Sequence, residues 1–180
     1  MKMNLANKIT ILRIFMVPVF MVFLLHQIPY GDYIAAFVFI LAAITDSLDG
    51  YIARSRNQIT TFGKFMDPLA DKLLVSAALV SLASMGEISA WFVVIIIARE
   101  FTISVLRAVA AAEGLVIAAS VWGKLKTISQ IVAISLILLD NFPFRLINVP
   151  MDTIVLWIAV ILTVVSGVDY IRVNKKILDT

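Results

Sequence analysis

Asp46 and Asp49 stand three residues apart, and Asp67 and Asp71 four apart, in a chain otherwise poor in charge. With Gly50 and Ala53 the first pair occupies positions i, i+3, i+4 and i+7, and Gly63 extends the second to i, i+4 and i+8. On a helix, either set falls along one face. The connection from Ser55 to Phe62 is short, so the two pairs are expected to face each other across a small cleft. Four carboxylates at close range repel strongly where the dielectric is low, and they either stay protonated or bind cations. All-oxygen ligation selects Mg²⁺, Mn²⁺ or Ca²⁺ over zinc. Gly50 and Gly63 leave the backbone open to a bulky ligand, Ala53 leaves room one turn further on, and Arg54 adds a fixed positive charge suited to phosphate. Such a set reads as a metal-bridged phosphate or pyrophosphate pocket, in which paired metals stabilise displacement at phosphorus. Ion coordination in a small cation transporter is the rival reading, because acids within a membrane also mark ion pathways.

A second group is basic. Arg99, Arg107, Lys124 and Lys126 fall on two later apolar stretches. Measured from Glu87 at about 1.5 Å per residue, Arg99 lies roughly 18 Å and Arg107 roughly 30 Å along a helix. Charges at such depths are costly unless they face a wet cavity or a partner. Two roles are open: a seat for a second anionic group beside the metals, or pairing of Arg99 with Glu100 and orientation marking by Lys124 and Lys126.

The elements that must position these groups follow from composition. Of 180 residues, 62% are hydrophobic and 15% charged, which does not suit a water-soluble domain of this size. Six apolar runs, at 9–28, 33–54, 67–86, 88–110, 124–141 and 151–171, predict an all-α polytopic membrane protein with six transmembrane helices. No repeat or linker divides residues 1–180, so one domain is expected. The net charge of +3 is explained by orientation rather than by nucleic acid. Lys2, Lys8 and Arg13, before or at the start of the first run, fall on one side with Arg54, Arg56, Lys64, Lys72, Arg107, Lys124, Lys126, Arg172, Lys175 and Lys176, whereas the opposite turns hold Asp32, Glu87, Asp140, Asp152 and a single base, Arg145. Both termini are therefore expected in the cytoplasm. With no cysteine and one histidine, His26, thiolate and multi-histidine metal sites are excluded.

The segment Asp46-Ser-Leu-Asp49-Gly50-Tyr-Ile-Ala53-Arg54, followed after eight residues by Gly63-Lys-Phe-Met-Asp67-Pro-Leu-Ala-Asp71, resembles the D-x-x-D-G-x-x-A-R-x8-G-x-x-x-D-x-x-x-D motif of the CDP-alcohol phosphotransferase family. Asn7 to Arg13, Ala98-Arg99-Glu100-Phe101 with Arg107, and Gly123-Lys124-Leu-Lys126-Thr127 are similar to the bacterial members that make phosphatidylglycerol phosphate. Ala6 departs from the proline expected before Asn7. The resemblance implies a six-helix transmembrane fold in the bacterial cytoplasmic membrane, usually a homodimer. It implies CDP-diacylglycerol and sn-glycerol 3-phosphate as substrates, with phosphatidylglycerol phosphate and CMP as products. Asp46, Asp49, Asp67 and Asp71 would bind two Mg²⁺ or Mn²⁺ ions, and Asp71 would also act as general base. Asp49, Gly50, Ala53, Arg54 and Gly63 would line the CDP pocket. Arg107 and Lys124, together with Arg99 and Lys126, would hold the acceptor's phosphate. Other acceptors within the family, as in a cardiolipin synthase or a phosphatidylinositol-phosphate synthase, remain open at this stage.

Overall fold

The computed structural model describes residues 5–26, 28–55, 61–112, 114, 115, 117 and 120–174, with side-chain detail beginning at Asn7 and excluding 46–55, 61–65, 67 and 68. Among the described residues every regular element is helical: α1 (Leu5–Leu25), α2 (Gly31–Ser55), α3 (Thr61–Ser84), α4 (Ala90–Ala112), α5 (Val121–Leu138) and α6 (Met151–Val173), with a short 3₁₀ turn at Phe144–Ile147 before α6. The six helices expected from hydropathy are thus present, with ends shifted by a few residues. The largest shift is at α3, which starts six residues before the expected 67. Lys64 and Asp67 interrupt the apolar pattern there, but a helix continues through charged residues wherever its backbone bonds are satisfied.

Each helix turns a consistent stripe inward. On α1 it comprises Thr10, Arg13, Val17, Phe20 and Leu24, and on α6 it comprises Leu156, Ala159, Val160, Thr163, Ser166 and Tyr170, both at helical spacing. α1 packs on α2 and α3, α5 on α6, and α4 on α6. Phe20 and Phe39 meet at 5.9 Å between ring centroids, joining α1 to α2 in the core. Small residues allow close approach. Ala35, Ala36 and Ala42 of α2 are almost wholly buried, and a Cβ at Gly31 would lie 2.5 Å from the Phe23 carbonyl oxygen.

The connections are tight and chemically legible. After α3, the Glu87 amide donates to the Leu82 carbonyl and the Gly86 amide to that of Ala83, with Gly86 at φ +83°; Leu115, Gly114, Ala110 and Ala111 repeat the pattern after α4. Both are glycine-terminated helix ends. Ser120 caps α5, its hydroxyl accepting from the Gly123 amide at 3.1 Å. Asn141 clips the last connection, donating to the Val149 carbonyl at 2.7 Å and accepting from the Asp152 amide at 3.2 Å.

Three described helical segments, Asn7–Leu25, Val121–Leu138 and Met151–Val173, are long and apolar enough to cross a membrane, and Gly31–Thr45 is a shorter apolar stretch. α4 differs because Arg99, Glu100 and Arg107 interrupt it. Large apolar side chains nevertheless point outward from several helices, among them Phe15, Phe37, Trp91, Phe101 and Ile161. An outer surface of this kind suits hydrocarbon better than water.

Candidate active site

α2 runs unbroken through Asp46, Asp49, Gly50, Ala53 and Arg54, and α3 through Gly63, Asp67 and Asp71. The expected helical spacings are therefore realised, and α2 packs against α3. The side chains of Asp46, Asp49, Ala53, Arg54 and Asp67 lie outside the described residues, as does the local environment of Gly50 and Gly63. Among the described residues no group of three His, Asp or Glu is placed to hold a metal. Asp71 is the described member of the quartet. Half-buried, it lines a crevice with Lys72, Ser76, Glu100, Lys126, Thr127 and Gln130, drawn from α3, α4 and α5. The donor set itself suits a hard divalent cation: four carboxylates at i, i+3 and i, i+4 on adjoining helices, with Asp71 on a crevice of mixed polar and apolar lining.

Glu100 is the junction of that crevice. Its Oε1 accepts from Arg99 Nη1 at 3.2 Å and from the Lys126 ammonium, joining α4 to α5. Lys126 is buried, and Arg99 and Glu100 nearly so. Lys72 lies near enough for its charge to act on Glu100, and Asp71 near enough to act on Lys126. Alternating charges therefore run from α3 through α5 to α4. Each opposite neighbour offsets part of the cost of removing a charge from water. The Arg99 stem is held by small residues: a Cβ at Gly167 of α6 would meet its Cγ at 3.3 Å, and one at Gly123 of α5 would lie 3.8 Å from Nη2. Nε of Arg99 is buried without a hydrogen-bond partner among the described residues. Gln130, which also lines the crevice, donates through Nε2 to Thr163 Oγ1 at 3.0 Å and fastens α5 to α6.

Arg107 and Lys124 are arranged differently. Both are exposed. Arg107 Nε donates to the Tyr170 hydroxyl at 3.1 Å. Its Cζ lies 5.4 Å from the ring centroid, and since Cζ is one bond from Nε the guanidinium sits toward the hydroxyl end of the ring rather than centred over its face. Along α4 the paired Arg99 precedes the exposed Arg107, whereas along α5 the exposed Lys124 precedes Lys126, which meets Glu100. The structure thus divides the four expected acceptor-site cations into a locked pair, Arg99 and Lys126, and an exposed pair, Arg107 and Lys124.

Two features were not read from the sequence. Arg13, counted there with the residues at the start of the first span, is completely buried, as is Thr10, with Asn7 2% exposed. Their i, i+3, i+6 spacing on an otherwise apolar helix was the available signal. Tyr170 had none, because its partner is 63 residues away.

A CDP-alcohol phosphatidyltransferase family model matches residues 3–165. The CDP-diacylglycerol–glycerol-3-phosphate 3-phosphatidyltransferase of Bacillus subtilis is 47% identical, with 98% of each chain covered. The protein of the same name from Rickettsia bellii is 38% identical over 96% of both chains. A probable phosphatidylglycerophosphate synthase of Mycobacterium tuberculosis is 42% identical over 93% of this chain and 80% of its own. Matched along nearly its whole length and carrying the eight-position motif on α2 and α3, the chain belongs to the CDP-alcohol phosphatidyltransferase family.

Proposed function

We propose that the protein transfers the phosphatidyl group of CDP-diacylglycerol to sn-glycerol 3-phosphate, releasing CMP and phosphatidylglycerol phosphate. The observation that carries the reading is the full-length similarity to relatives named for that reaction. The exposed cations Arg107 and Lys124 favour an acceptor that is itself a phosphate ester. Asp46, Asp49, Asp67 and Asp71 are the residues that would hold two Mg²⁺ or Mn²⁺ ions. When bound, such ions supply charge neutralisation for the pyrophosphate and for the departing CMP.

The chain's own residues do the rest. Gly50, Ala53, Arg54 and Gly63 admit and orient the CDP moiety, with Arg54 against phosphate. Arg107 and Lys124 hold the acceptor phosphate, which brings the primary hydroxyl toward the phosphorus that bears diacylglycerol. Asp71 takes the hydroxyl proton as the new P–O bond forms and the bond to CMP breaks. Arg99 and Lys126, tied to Glu100, form the charged wall behind Asp71. In this reading all six helices cross the cytoplasmic membrane of a bacterium as one domain. Both termini and the site are on the inner side, and a second copy pairs with the first. The charge distribution along the sequence supports that orientation.

CMP release by purified protein tests the reading, with CDP-diacylglycerol and a panel of glycerol 3-phosphate, phosphatidylglycerol, inositol phosphate and serine, before and after chelation. Release with glycerol 3-phosphate, lost on chelation and restored by Mg²⁺ or Mn²⁺, is expected. Preference for another acceptor overturns the substrate assignment, and cation flux in proteoliposomes without CMP release overturns the enzyme. Asp71→Asn should lower kcat by about 10²- to 10⁴-fold while CDP-diacylglycerol still binds; wild-type turnover would remove Asp71 from the base role.

A further inference from the structure

Tyr170 belongs to the last turns of α6, beyond the residues matched by the family model. It is 3% exposed, although it lies close to the helix end, where Asn174 Nδ2 donates to its carbonyl at 2.8 Å. A buried phenol needs a partner for its hydroxyl, and here the partner is Arg107 Nε of α4. A guanidinium has five N–H groups in a rigid fork. Tyr170 engages the one on Nε, and the terminal nitrogens make no hydrogen bond among the described residues. Arg107 as a whole remains exposed. Fixing Nε sets the plane of the fork and its direction, so both terminal NH₂ groups stay available for two-point contact with a phosphate.

We infer that Tyr170 is a positioning residue for the acceptor: it anchors Arg107 through Nε so that the terminal nitrogens present a pre-set fork to the phosphomonoester of glycerol 3-phosphate. The inference rests on the assignment of Arg107 to the acceptor phosphate. Its physical content is pre-organisation. An unanchored arginine must lose side-chain freedom when the substrate binds, and the cost appears in affinity for the phosphate ester.

Steady-state kinetics of the full chain in detergent, with each substrate varied in turn, test it. Tyr170→Phe removes one oxygen and keeps the ring. It should raise KM for glycerol 3-phosphate by about two- to tenfold, the order for immobilising one rotamer-rich side chain on binding, with kcat and KM for CDP-diacylglycerol held. In an Arg107→Ala background the same change should add nothing. Arg107→Lys, which keeps the charge but lacks the fork, should lose acceptor affinity much as Arg107→Ala does, and this arm stands even if Tyr170→Phe does not fold. An unchanged KM in Tyr170→Phe beside a raised KM in Arg107→Ala overturns the role of Tyr170 and leaves the acceptor site in place. A wild-type KM in Arg107→Lys also overturns it. An unchanged KM in Arg107→Ala removes Arg107 from the acceptor site, and the inference falls with that assignment.

Discussion

Arg99 and Lys126 converge on one carboxylate oxygen inside the helix bundle, whereas Arg107 and Lys124, carried by the same two helices, reach the surface. The sequence grouped these four cations at one acceptor site and separated Arg99 from Arg107 only by depth along the helix. Surroundings separate them. A cation paired with Glu100 has its charge offset by a fixed neighbour and is poorly placed to change partner for a transient substrate. A cation at the surface, with one nitrogen anchored or none, can meet an anion without first breaking a buried pair. In the proposed reaction this chain's basic group would therefore combine two functions, one that ties α4 to α5 behind Asp71 and one that faces the acceptor.

Glu100→Ala should have the largest effect. It leaves Lys126 and Arg99, with side chains 5% and 14% exposed, charged without their shared oxygen, a change that commonly costs about 3–5 kcal/mol for a buried pair. Thermal unfolding in detergent should show marked destabilisation, and Glu100→Gln should recover part of it by keeping an acceptor oxygen. If Glu100→Ala melts with the wild type, the locked pair does not hold the bundle and the distinction between the two pairs fails.

The opposite pattern is expected at the exposed pair. Lys124→Ala should leave the melting temperature nearly unchanged, and Arg107→Ala should lower it by less than Glu100→Ala does, by the about 1–3 kcal/mol that an unpartnered Tyr170 hydroxyl costs; both should raise KM for glycerol 3-phosphate, by about tenfold or more for the arginine, because hydrogen bonds to charged groups contribute about 1.5–3 kcal/mol. The lysine is a point charge on a flexible stem and should have the smaller effect. Destabilisation without a change in KM would place this pair with Arg99 and Lys126.

How much of this was legible in the sequence depended on distance along the chain. Helical spacing disclosed the Asp46–Asp49 and Asp67–Asp71 faces because all the residues involved are local. Arg99 and Glu100 are adjacent, so their pairing was one of two readings available in advance. Lys126 is 26 residues from Glu100, and no periodic pattern assigns one to the other. Arg13 shows the limit most plainly. A base near the start of an apolar run has the same sequence appearance whether it marks the cytoplasmic side or lies wholly buried, and only the packing of α1 on α2 and α3 makes it the second. The onset of α3 was obscured for a related reason, since hydropathy reports where lipid contact begins rather than where a helix does.

The smallest effect belongs to an exposed ion pair on the expected outer side. Arg145 and Asp140 are joined across the connection between α5 and α6, with side chains 70% and 69% exposed. Water screens both charges, and ordering two exposed side chains offsets much of the attraction, so such a pair contributes about 0–1 kcal/mol. The connection has a stronger constraint of its own in Asn141, whose amide bonds Val149 and Asp152 and does not depend on Arg145. Arg145→Ala should therefore shift the melting temperature little, less still at high salt, and should leave both substrates' KM values unchanged. Glu100→Ala likewise removes one member of an ion-paired group, though there a carboxylate shared by two enclosed cations, so the difference between the two melting shifts reports enclosure together with that second partner. Shifts of equal size would mean that burial does not distinguish the Glu100 junction from a surface contact, and the division of the cations into structural and substrate-facing pairs would lose its physical basis.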